Sequence, residues 1–94
     1  MELSSRTAVF TGTFDPITLG HIDVISRGRL LFERLVVAIG VNPTKQVLFP
    51  IEERVDLAER VLGRFDNVEV RAFEGLTVDF VRSTGARVIL RGLR

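Results

Sequence analysis

Apolar positions follow two rhythms along the chain. Short apolar segments at residues 7–10, 35–41 ("LVVAIGV"), 68–73 and 88–90 read as strands, and Gly12 ends the first of them. Between these runs the apolar residues recur at helical spacing. Residues 18–34 carry Ile22, Ile25 and Phe32 on one face, with Thr18 placed to cap the start. Residues 51–65 carry Val55, Ala58, Val61, Leu62 and Phe65, opened by Pro50 and by acids where the macrodipole favours them. A shorter segment, 77–84, stops at Gly85. Strands that alternate with helices and are apolar enough to be buried on both faces predict a parallel sheet wound by right-handed crossovers.

The expected fold is therefore α/β, a Rossmann-like doubly wound parallel sheet, βαβαβαβ, taken with the strand order 3-2-1-4 usual for such a sheet. Right-handed crossovers place the first two helices on one face and the third on the other. One face is then thinly covered, and the fourth strand, "RVILR", is left as an apolar edge that invites pairing with another chain. The 94 residues, 46% hydrophobic and 27% charged, fit one domain with a core. Without cysteine there is no disulfide or thiolate metal site. The polar start "MELSSR" has no signal or membrane-span character, so a cytoplasmic protein with no membrane partner is expected. The thirteen basic residues are dispersed among twelve acids, which argues against a nucleic-acid surface.

The chemistry concentrates in "TGTFDPITLGH", residues 11–21, which ends on the one histidine of the chain. In such a sheet ligands bind beyond the carboxyl ends of the strands, and this stretch leaves the first strand at that end. Gly12 lets a ligand approach the backbone, Thr13 adds a hydroxyl, and Pro16 stiffens the turn. The following helix N-terminus attracts anions through its unpaired N–H groups and dipole. Thr18 and His21, three residues apart, share one face of the first turn. The single lysine, Lys45, sits in the irregular segment 42–50, "NPTKQVLFP", after the second strand, and Arg91 and Arg94 follow the fourth in "RGLR". Taken one at a time, each residue has an ordinary structural explanation: a turn glycine, a surface histidine, a solvated charge, and Asp15 as a turn cap. Their coincidence at one sheet end points to a phosphate site.

"GTFDPITLGH" resembles the T/HxGH signature of the nucleotidyltransferase superfamily. Together with "NPTK", "EER" and "RGLR" at their separations, the chain from Arg6 to Arg94 resembles the bacterial phosphopantetheine adenylyltransferase family. The resemblance implies transfer of AMP from ATP to 4'-phosphopantetheine, giving dephospho-coenzyme A and pyrophosphate in coenzyme A synthesis. By position, Thr13, Lys45, Thr77 and Arg91 match the family's phosphopantetheine contacts. Thr13, Phe14, His21, Gly92, Leu93 and Arg94 match its ATP contacts. His21 matches the transition-state stabiliser, with Lys45 beside it in the catalytic set. Mg2+ is implied on the ATP phosphates and not in a protein cage, and a hexamer is implied for the complete chain.

The resemblance also implies that residues 1–94 are the N-terminal part of a single nucleotidyltransferase domain. Further segments, with an acidic ATP contact and a serine-rich loop, are expected to complete the nucleotide site, so negligible turnover is expected of these residues alone. The residues themselves also fit another nucleotidyltransferase, distinguished by its acceptor, and a non-catalytic phosphate-binding or assembly module.

Overall fold

Leu35, Val36, Val37, Ala38 and Ile39 are all fully buried, so the strand that carries them is covered on both faces. The computed structural model describes residues 4–41 and 46–90. The elements follow in the order β1 (Ser4–Gly12), α1 (Leu19–Gly28), a 3-10 turn (Arg29–Leu31), β2 (Arg34–Val41), α2 (Ile51–Leu62), β3 (Val68–Glu74), α3 (Thr77–Thr84) and β4 (Ala86–Leu90). The sheet is parallel throughout and ordered β3-β2-β1-β4, as the sequence predicts.

Register converts the sequence alternation into two cores, because paired residues of neighbouring strands point to the same side. Ala8 pairs with Leu35, and Phe10 with Val37. These four, with Ile39, pack against Ile25 of α1 and Ala58 and Leu62 of α2. Full burial of Ile25 alone contributes roughly 1.5–3 kcal/mol and anchors α1 to the sheet. On the other face Val9, Val36 and Ala38 meet Val81 of α3 and Ala86, with Phe73 and Phe80 stacked at 4.8 Å beside them. The thinly covered face is this one: Ile89 pairs with Val9, projects on the α3 side and is 42% exposed.

Two helices end earlier than their apolar periodicity predicts. Where the pattern runs over 18–34, α1 stops at Gly28 and a 3-10 turn follows. The stop is tertiary in origin. Asn67 Nδ2 donates to the Arg29 carbonyl at 2.8 Å and to that of Phe32 at 3.1 Å, satisfying carbonyls that a longer helix would use internally. Phe32 is then extended, and Glu33 N donates to the Arg6 carbonyl, which launches β2 alongside β1. α2 ends at Leu62 with Gly63 as its cap, so Phe65 reaches the core from the following turn. Pro50 does serve as the N-cap of α2, and its carbonyl accepts from Glu53 N and Arg54 N. Gly85 closes α3 at φ 78, a left-handed conformation that glycine adopts without strain.

Arg34 and Glu69 link β2 to β3 through Arg34 Nε, and Arg71 Nη2 adds a second contact to Glu69 at 2.9 Å. The Arg34 hydrogen bond, against opposing desolvation, holds the Glu69 carboxyl below its ordinary value of 4.5. A depressed folded pKa means that this stabilisation is complete above the unfolded value and is lost as pH falls through the folded one. The pair is part-exposed, so its contribution is under about 1 kcal/mol. Glu69→Gln should therefore melt slightly below the parent at pH 7, and the two curves should merge in acid. A gap that persists below the folded pKa would mean that the side chain acts through packing and not through charge.

Candidate active site at the carboxyl end of β1

Beyond Gly12 the chain turns through Thr13 and Phe14, crosses a cis Asp15–Pro16 bond and enters α1 at Thr18. Phe14 adopts φ 48, which aims its ring back under the strand, where it is 2% exposed. There it packs edge-on to Phe10 at 5.5 Å and to His21 at 4.8 Å between ring centroids. Gly12 suits this packing: a Cβ there would stand 3.0 Å from the Phe14 ring, which would have to give by a few tenths of an ångström. The glycine thus accommodates an internal side chain in addition to leaving the backbone bare.

Thr18 and His21 form a reciprocal cap. His21 N donates to Thr18 Oγ1 at 3.3 Å, and Thr18 N donates to His21 Nδ1 at 3.0 Å. The Thr18 hydroxyl also lies 3.1 Å from Nδ1. A ring nitrogen that accepts a backbone N–H carries no proton, so the neutral imidazole holds its proton on Nε2. The cap therefore fixes both the position and the tautomer of His21, and the edge of Phe14 supports the ring from the core side. No acid occupies the first turn of α1, so the positive end of its dipole is unopposed, as an anion site requires.

Two residues outside the predicted site set, Asp15, read from sequence only as a turn cap, and Arg54, hold this turn in place. Asp15 accepts from the backbone N–H groups of Leu48 and Phe49, the latter at 2.8 Å, which ties the β1 turn to the segment that enters α2. Arg54, 3% exposed, donates to three carbonyls: Phe49 at 3.0 Å, Thr13 at 3.0 Å and Gly40 at 3.2 Å. The sequence does carry one signal for Arg54. It shares the buried stripe of α2 with Ala58 and Leu62 at four-residue spacing, where an arginine is out of place unless it has partners.

Of the residues singled out from sequence, the structure brings Thr13, Phe14 and His21 together at the end of β1. Phe14 has its ring in the core. Thr77 opens α3 at the same end of the sheet, but β2 lies between its strand and β1. Lys45, Arg91, Gly92, Leu93 and Arg94 lie outside the described residues. Among the described residues no three His, Asp or Glu side chains gather as a metal site, and no helix is long and apolar enough to cross a membrane.

A parallel sheet of this order, with a capped histidine at the first helix N-terminus, defines a class. The profile of the cytidylyltransferase-like family matches residues 9–94, and the chain belongs to that family. Within it the similarity narrows to one enzyme. The chain is 52% identical over 89 residues to the phosphopantetheine adenylyltransferase of Carboxydothermus hydrogenoformans, covering 95% of this chain and 55% of that protein. It is 52% identical over 92 residues to that of Rhodopirellula baltica, covering 98% and 51%. With that of Bordetella avium the identity is 53% over 88 residues, covering 94% and 53%. The chain thus spans about half the length of these curated relatives.

Proposed function

We propose that the chain contributes the catalytic part of an adenylyltransferase site that moves AMP from ATP to 4'-phosphopantetheine. The observation that carries this reading is the His21 ring, locked at the N-terminus of α1 with its proton on Nε2. In the reaction an acceptor phosphate oxygen forms a bond to the α-phosphorus of ATP, the bond from that phosphorus to the bridging oxygen breaks, and pyrophosphate leaves. A phosphate monoester is mostly ionised at neutral pH, its second pKa being about 6. No general base is needed. What remains is to bring two anions together and to neutralise charge on the α-phosphoryl oxygens, which suits a fixed N–H donor and a helix N-terminus.

Lys45 and Arg91 belong to this reading as the cations that hold the acceptor phosphate, Thr13 and Thr77 as further acceptor contacts, and Gly92, Leu93 and Arg94 with Phe14 as nucleotide contacts. Mg2+ enters on the ATP phosphates. Cytoplasmic location and assembly into a homo-oligomer, a hexamer by the resemblance, complete the proposal.

Pyrophosphate release tests it in a protein that carries this chain and turns over. 4'-Phosphopantetheine should support release, whereas glycerol 3-phosphate and nicotinamide mononucleotide should not; preference for either of these would reassign the acceptor. Lys45→Ala or Arg91→Ala should weaken acceptor binding by roughly 1.5–3 kcal/mol each, the scale of a hydrogen bond to a charged group. Calorimetric titration with the acceptor measures this, and parental affinity in both variants would return them to solvated surface charges.

A further inference from the structure

Arg54 combines features that a purely structural side chain does not need. It is an arginine at 3% exposure whose hydrogen bonds all go to neutral carbonyls, and no ion pair with a carboxylate accompanies them among the described residues. Burying a cation without a counter-charge is costly, and carbonyl dipoles offset only part of that cost. The three carbonyls belong to three separate segments: Thr13 in the turn after β1, Gly40 near the end of β2, and Phe49 at the entry to α2. All three lie at the carboxyl end of the sheet. The planar guanidinium can reach them together because its donors form a rigid fork, which an ammonium does not reproduce. Of the acids nearest in sequence, Glu52 and Glu53 occupy the first turn of α2 and are exposed, Asp56 is exposed and paired with Arg60, and Asp15 is engaged with the Leu48 and Phe49 amides.

We infer that Arg54 is a positioning residue of the nucleotide site: its guanidinium clamps the Thr13 turn in the shape that receives phosphate, and its buried positive charge adds to the attraction for that phosphate. This deepens the adenylyltransferase reading and rests on it. Arg54 itself touches no substrate. It acts through the Thr13 carbonyl, which fixes the peptide preceding Phe14, and thereby through the Phe14 ring that supports His21. An anion bound at the turn supplies the counter-charge that the fold withholds, so clamp and ligand should stabilise each other.

The test uses inorganic pyrophosphate as the probe, followed by amide chemical shifts of the parent and of Arg54→Lys and Arg54→Gln. In the parent, pyrophosphate should shift the Thr13, Phe14 and His21 amides. Arg54→Lys keeps the charge and loses the fork. It should fold with unmoved amides from Leu35 to Ala38 in β2, show displaced Thr13 and Phe49 amides, and bind pyrophosphate at least tenfold more weakly. Arg54→Gln, lacking the charge as well, should bind more weakly still. Parental affinity and parental Thr13 shifts in Arg54→Lys would overturn the inference, as would global unfolding of both variants, which would make Arg54 a fold residue alone. If the parent itself shows no pyrophosphate response at these amides, the adenylyltransferase reading fails. The clamp is then judged separately, by whether Arg54→Lys displaces the Thr13 and Phe49 amides together.

Discussion

His21→Ala is expected to lower adenylyl transfer by roughly a hundredfold or more, the usual scale for removing one donor to charge that develops in a transition state. The fall should appear mainly in kcat, with a smaller change in ATP affinity, because the interaction strengthens as charge accumulates on the α-phosphoryl oxygens. Alanine also removes half of the reciprocal cap of α1, so a second variant is needed to separate chemistry from folding. Glutamine at the third helical position is itself a capping-box residue and can accept from the Thr18 N–H. His21→Gln should thus keep parental stability and still lose most of the turnover, since its amide is engaged at the cap and does not place a donor where the imidazole Nε2–H stands. Turnover near the parental level in His21→Gln, with normal melting, would reduce His21 to a helix cap.

Phe14→Ala should be the most destabilising single change near the site, at roughly 3–5 kcal/mol by analogy with other buried aromatic truncations. That is a large share of the 5–15 kcal/mol typical of a whole domain. The ring fills the space between Phe10, Gly12 and His21, so its removal opens a cavity directly beneath the imidazole. Urea unfolding measures the loss, and a change below about 1 kcal/mol would show that the turn collapses easily around the gap. Gly12→Ala supplies an independent check. In the parent its added methyl meets the Phe14 ring, whereas in a Phe14→Ala background that clash is absent, so the two changes should be non-additive.

These two residues also mark how far the site was legible from sequence. Thr18 as the cap of α1 and His21 on the same face of its first turn were readable because three-residue spacing depends only on helix geometry, whereas their reciprocal bonding is seen only in the structure. The motif singles out Phe14, in the turn after β1. That its ring is core was not readable, because the space for it is left by Gly12 beside Phe10. Arg54 stood in view on an apolar stripe, yet its partners Thr13 and Gly40 are 41 and 14 residues away and meet it only once the strand ends are aligned.

The same division holds for the fold. The order 3-2-1-4 comes from the usual doubly wound pattern and is shown by the tertiary structure, whereas the sequence by itself determined the alternation of strands and helices, the parallel sheet, the start of α2 at Pro50 and the stop of α3 at Gly85. Each of these follows from side-chain periodicity, from backbone conformations a few residues long, or from the handedness of crossovers, all of which act whatever the rest of the chain does. Only the tertiary structure decided where α1 ends, because the Asn67 side chain that donates to the Arg29 and Phe32 carbonyls just beyond it is 38 residues from Arg29. It alone joined Asp15 to the amides of Leu48 and Phe49, and Arg54 to three separate strand and loop ends. A buried polar group must find a partner wherever the packed strands bring one within about 3 Å, and strand register, more than sequence distance, determines which one that is.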